Sequence, residues 1–181
     1  MSAVMLSGDF MATTNTPSVV TDAGPVIHLD ELDCLDLIND FDSLHTTRTV
    51  WQEVLSHRPR LKPAALPAMK LHDIDSVSIP STLASEATAF DLAGGEVSVI
   101  LLLEQLLAGI LFCDDAAARL VAESRGHRVH GTVGIVARAV RRGLRTRSQT
   151  VEILKSIPER SSLHIRPSLL NEICKQVETG G

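Results

Sequence analysis

The sequence predicts an α/β protein: a central parallel sheet of about five strands with helices on both faces, in three layers. Three observations carry this reading. Short apolar runs alternate with helix-forming segments, as strands joined by crossover helices do. Two of those runs, in VVTDAGPVIHL (19–29) and ILFCDDAAARLV (110–121), stop abruptly at aspartate and pass directly into a helix. Aromatics are scarce and Tyr is absent, so the core rests on Leu, Ile, Val and Ala, the residues of buried parallel strands.

Residues 18–22 read as the first buried strand. Gly24 and Pro25 open the next element, Pro suiting a first helical turn. Val26, Leu29, Leu32, Leu35 and Ile38 then keep helical spacing to about residue 40, as two short helices. Residues 49–56 (TVWQEVLS) form a short amphipathic helix that ends before the Pro-rich linker 57–67. A strand is expected over 77–79, beginning as early as Leu71, and 81–90 reads as helix. Gly94 and Gly95 break the chain and release a strong helix over 96–107, which Gly109 stops. A strand over 110–113 follows, then a helix over 116–125 capped by Asp115 and ended by Gly126. The pattern closes with a short strand at 127–130, a helix over 132–142, a helix over 149–157, an extended piece at 163–165 and a helix from Pro167. Residues 1–17 read as a polar, flexible leader, 18–177 as one domain and 178–181 as a tail.

Composition narrows the class. At 181 residues, one domain with a continuous core is expected. The longest apolar stretch, 97–112, contains Glu104 and Gln105 and falls short of the roughly 20 residues that a bilayer span needs. The first 18 residues lack the basic start and apolar centre of a secretory signal. Cys34, Cys113 and Cys174 are odd in number and widely spaced, which argues against a disulfide framework and makes a reducing cytoplasm the expected setting. Cys113 reads as a buried thiol. The histidines show neither HxH nor HExxH spacing, which disfavours zinc. A Gly-rich phosphate loop, a serine nucleophile elbow and a cysteine nucleophile setting are all missing.

The net charge of −5 is unevenly spread. Residues 1–117 carry 5 basic against 17 acidic side chains, whereas 118–147 carry 8 arginines against Glu123 alone. An acidic body beside an arginine-rich segment suits a metal and a polyanion respectively; a solvated helix face would show the same pattern.

Asp22 and Asp114 both follow apolar strands, and residues just past the carboxyl ends of neighbouring parallel strands line the ligand crevice of an open α/β sheet. Carboxylates held close together repel unless a cation lies between them. Glu53 and Glu96 also stand beside apolar runs at element ends. Singly, each has an ordinary explanation: an Asx turn for Asp22, helix capping for Asp114 and Asp115, the helix dipole for Glu96, an exposed helical position for Glu53. Together they form an oxygen donor set of the kind that Mg²⁺ and Mn²⁺ prefer.

The order and spacing of VVTDAGPVIHLDEL, TVWQEVL, AGGEVSVILL, LFCDDAAARLVAESRG and VHGTVGIVARAVRRGL resemble the PIN domain family, in its small prokaryotic branch related to VapC-like toxins, over about residues 18 to 177. The resemblance implies an acidic pocket of Asp22, Glu53, Glu96 and Asp114, supported by Asp115, on a sheet whose strands bearing Asp22 and Asp114 lie side by side. Many members carry a small hydroxyl residue two positions after the first Asp, where this chain has Gly24. The implied activity is Mg²⁺- or Mn²⁺-dependent hydrolysis of RNA phosphodiesters. Asp22, Glu96 and Asp114 would be the principal metal ligands, with Asp115 and Glu53 acting through water. Arg119, Arg138, Arg141, Arg142 and Arg145 would track the RNA backbone. A small antitoxin-like protein or a second copy of the chain is the implied partner, and Val26, Leu29, Leu32 and Leu35 offer an apolar surface for it. Two other readings stand beside this one: a catalytically weak RNA-binding or regulatory protein of the same fold, and a metal-dependent phosphatase for small molecules.

Overall fold

The computed structural model describes residues 18–74 and 78–180. Five strands form one all-parallel sheet: β1 (Val19–Thr21), β2 (Leu44–Thr47), β3 (Met69–His72), β4 (Ile110–Phe112) and β5 (Arg128–His130), in the order β3-β2-β1-β4-β5. The chain winds outward from β1 in one direction to β3, then returns to its other side for β4 and β5. The order therefore reverses between β1 and β4, where the crevice of such a sheet forms at the carboxyl edge. Thr21 pairs with Phe112, and the Asp22 N–H donates to the Phe112 carbonyl at 2.8 Å, so Asp22 and the Cys113–Asp114 pair leave the sheet side by side.

Among the described residues eight α-helices surround it: α1 (Ala23–Glu31), α2 (Arg48–His57), α3 (Ser81–Ala89), α4 (Gly94–Gln105), α5 (Ala116–Ser124), α6 (Thr132–Arg141), α7 (Arg147–Arg160) and α8 (Pro167–Thr179). Helices α4 and α5 cover one face and α1 and α6 the other, giving three layers, while α2 touches both α1 and α4. Helices α7 and α8 stack outside α6. The apolar stretch near residue 100 is explained by α4, whose Val97 and Val99–Leu103 are all buried; a helix apolar all round belongs in a core. Among the described residues no helix is long and apolar enough to cross a membrane.

Four expectations need correction. First, β2 has no counterpart in the hydropathy pattern, because only one residue of LHTT is apolar, yet all four are buried. Its polar groups are satisfied internally: Thr46 Oγ1 donates to the Thr21 carbonyl at 2.8 Å, Thr47 shares a hydrogen bond with Ser98 at 2.8 Å, and His45 Nδ1 meets His72 Nε2 at 2.8 Å. Second, the next strand is Met69–His72 rather than 77–79; Ser78 and Ile79 are not in a strand, and Val77 lies outside the described residues. Third, 163–165 forms no strand and simply connects α7 to α8. Fourth, Val26, Leu29 and Leu32 are buried in the core and Leu35 is half-buried against it, so the apolar surface offered to a partner is consumed by the fold itself.

Candidate active site

Each acidic side chain reaches the carboxyl edge from a different element. Asp22 ends β1 and directly precedes α1. Glu53 comes from the middle of α2, and Gly95 makes room for it: a Cβ at 95 would lie 3.3 Å from Glu53 Oε2. Glu96 sits in the first turn of α4, where its Oε2 accepts the Ala93 N–H at 2.7 Å. Asp115 caps α5, with Oδ1 accepting from the N–H groups of Ala117 and Ala118 at 2.8 Å each.

Electrostatics couple four of these groups. Burial pushes the Asp22 carboxyl up to about 6, and the charges of Glu53 and Glu96 add to that; the Ala23 N–H and the Cys113 thiol pull it back. Glu96 is also raised, by burial first and then by Asp115, Glu53 and Asp91, against the Ala93 hydrogen bond. The Cys113 thiol, with Sγ 3.7 Å from Asp22 Oδ2, is raised by burial and by the surrounding aspartates. It is a buried neutral group, as expected from the sequence.

Asp114 has a different environment. Its Oδ1 accepts the Thr132 N–H at 2.7 Å, and its Oδ2 accepts the Thr132 hydroxyl at 2.6 Å and His28 Nδ1 at 2.8 Å. Of roughly four acceptor directions on a carboxylate, three are taken and one is left. Thr132 and His28 are the residues that sequence reasoning missed. The Gly-Thr helix start belongs to one of the blocks that carry the family resemblance, but nothing local signals that the hydroxyl reaches across to the neighbouring strand. A Cβ at Gly24 would lie 3.5 Å from Asp114 Cβ and Oδ2 and 3.6 Å from His28 Cε1. A side chain at 24 would therefore abut Asp114, and here Thr132 and His28 supply the hydrogen bonds that fix that carboxylate.

The arginines divide. Arg138 and Arg142 both pair with Asp40, at 2.8 and 2.9 Å, and the Arg138 guanidinium lies 4.3 Å from the centre of the Phe41 ring. Arg145 places Nη2 2.8 Å from both oxygens of Asp36. Arg119, on α5, stands beside Asp114, its nearest acid being Glu123 at 4.0 Å. Arg141 is exposed and has no ion pair among the described residues.

As the side chains lie, no three His, Cys, Asp or Glu groups among the described residues stand close enough to hold a metal ion. The donor set nonetheless fits one. Asp22, Glu53, Glu96 and Asp115 offer hard oxygen ligands, and the burial and, after it, the like charge that raise Asp22 and Glu96 are what a divalent cation would offset.

Residues 18–179 match the sequence profile of the PIN domain, and the chain belongs to that family. PIN domains are generally nucleases that use divalent metals. Among curated proteins, none matches the chain.

Proposed function

We propose that the chain is a Mg²⁺- or Mn²⁺-dependent endoribonuclease. The observation that carries this reading is the coupling of Asp22 to Glu53 and Glu96 at the reversal point of the sheet, where burial and like charge raise the Asp22 carboxyl to about 6 and no cationic side chain among the described residues pairs with it. A divalent cation there supplies Lewis-acid activation of a water and charge neutralisation on the phosphate. Asp22, Glu96 and the remaining acceptor position of Asp114 would hold it, with Glu53 and Asp115 orienting water. Thr132 and His28 fix the Asp114 carboxylate, the kind of outer-shell support that keeps a ligand in one rotamer. Arg119 is placed to meet a phosphate beside Asp114, and Arg141 is free to meet another; Arg138, Arg142 and Arg145 reach RNA only in competition with Asp40 and Asp36.

The internal pairing of those three arginines removes an argument against a small-molecule phosphatase, since the arginine run no longer needs a polyanion to explain it. Membership of a nuclease family keeps RNA as the favoured substrate. A role as the toxin of a toxin–antitoxin pair, or as a homodimer, rests on the VapC-like resemblance alone, because the apolar face on α1 lies in the core. The deciding experiment is a cleavage assay on mixed RNA substrates with and without Mn²⁺, beside Asp22→Asn. Mn²⁺-dependent cutting lost in the variant supports the proposal; cutting without a divalent ion, or retained in Asp22→Asn, contradicts it.

A further inference from the structure

The connection at 163–165, although not a strand, walls a cavity of about 390 Å³ whose opposite side is formed by Asp114, Arg119 and the turn from β5 into α6. Leu163, Ile165, Leu169 and Ile173 make its apolar side; Arg119, His130 and His164 make its polar side. A mostly apolar hollow with a few polar groups at one end is the usual form of a small-ligand site. Burial, together with Arg128, Arg119, Arg138 and Arg141, holds the His130 imidazole below its ordinary range, so at neutral pH it is an uncharged ring in a positive field.

Gly131 opens the mouth of this cavity. A Cβ there would fall 2.6 Å from Asp114 Oδ1 and 2.8 Å from Arg119 Nη1. Its φ of −87° and ψ of 174° suit any residue, so the glycine provides room rather than an unusual backbone. That room lets a guanidinium stand beside a site carboxylate at the point where the cavity meets the acidic pocket.

We propose that this cavity receives the unstacked base of the nucleotide adjoining the cleaved phosphodiester, with Arg119 on its phosphate. The inference rests on the nuclease reading of the adjoining acidic site. A ligand filling the cavity abuts Asp114, its cationic end suits phosphate, and its apolar end suits a base. Bases stacked in a duplex cannot enter such a hollow, whereas splayed-out bases pack on apolar side chains, imidazoles and guanidinium planes.

The test is an NMR titration of the full-length, metal-free protein with AMP, UMP and inorganic phosphate. Both nucleotides are expected to shift the His130 and His164 imidazoles and the Leu163 and Leu169 methyls; inorganic phosphate should shift the imidazoles and leave the methyls. Leu169→Gln, at a position 41 % exposed in the first turn of α8, should weaken AMP about tenfold and leave phosphate unaffected. Arg119→Gln should weaken both. Nucleotide binding no tighter than phosphate, or indifferent to Leu169→Gln, overturns the base cavity, even if RNA is cut. Nucleotide binding at the methyls without Mn²⁺-dependent cleavage of RNA overturns the nuclease reading instead.

Discussion

Along α1 and the 3₁₀ turn that follows it, acidic side chains have donors. Asp30 meets Arg58, Asp33 meets Arg160, Asp36 meets Arg145, and Asp40 meets Arg138 and Arg142. Glu31 takes the Ser162 N–H and the hydroxyls of Ser161 and Ser162. At the carboxyl edge of the sheet, Asp22 has the Ala23 N–H and a long thiol contact, Glu96 one backbone N–H, and Glu53 no side-chain partner among the described residues. The ionisation of the two groups moves in opposite directions. The Arg142 hydrogen bond, helped by Arg138 and opposed by burial, lowers Asp40; burial opposes but hydrogen bonds from Ser162 and Ser161 lower Glu31. Burial and neighbouring acids raise Asp22 and Glu96. A carboxylate that the fold has neutralised holds helices together; one that the fold has left in repulsion awaits a cation from outside.

The sharpest break of this contrast is in turnover. Asp22→Asn and Asp114→Asn should each cost more than the roughly 10–100-fold typical of outer-shell substitutions, while Thr132→Val should fall within that range. Steady-state RNA cleavage by the purified variants checks this, and circular dichroism confirms that they fold. Asp40→Asn should keep most of its turnover.

Stability should separate the groups by sign. The Asp22 carboxyl is raised above its unfolded value of 3.8 to about 6, so its contribution is intact below about pH 4 and lost as pH rises through 6. In the metal-free protein at pH 7, Asp22→Asn should therefore be more stable than the native chain, by up to roughly 3 kcal/mol. Asp40 runs the other way: its lowered carboxyl stabilises above the ordinary carboxylate range and loses that contribution on acidification. Asp40→Asn should cost about 1–3 kcal/mol at pH 7, the worth of hydrogen bonds to charged groups, with the difference shrinking toward pH 3. Urea unfolding at pH 3, 5 and 7 measures both.

The smallest effect concerns the free arginine. Arg141→Gln should reduce the slope of log affinity against log salt for single-stranded RNA by about 0.7, one phosphate contact, without changing stability. Arg142→Gln should lower stability and barely alter the slope, since its guanidinium is committed to Asp40.

Much of the fold was legible because burial leaves a hydropathy record: β1, β4, α4 with its apolar centre and the Asp115 cap on α5 stand where the residue pattern put them. Strand β2 was not legible, because His45, Thr46 and Thr47 are buried polar residues whose partners, His72, the Thr21 carbonyl and Ser98, lie on other elements, so they write no apolar run. Asp22, Glu96, Asp114 and Asp115 stand at the strand ends and helix starts where the sequence put them, whereas Glu53, expected at an element end, lies in the middle of α2. Thr132 and His28 were not legible, since their contact with Asp114 exists only once β1, β4 and β5 are neighbours. The pairing of the arginine run was not legible in charge counted along one segment: its partners lie about a hundred residues earlier, where Asp40 takes Arg138 and Arg142 and Asp36 takes Arg145.

The central claim, that the unneutralised carboxylates around Asp22 form a divalent-cation site, is tested most directly by thermal unfolding at pH 7 with and without Mn²⁺. A ligand that binds only the folded state raises the midpoint. The account predicts that Mn²⁺ raises the midpoint of the native chain and of Asp40→Asn, and leaves Asp22→Asn unmoved. A native midpoint indifferent to Mn²⁺, or an equal rise in Asp22→Asn, would contradict it.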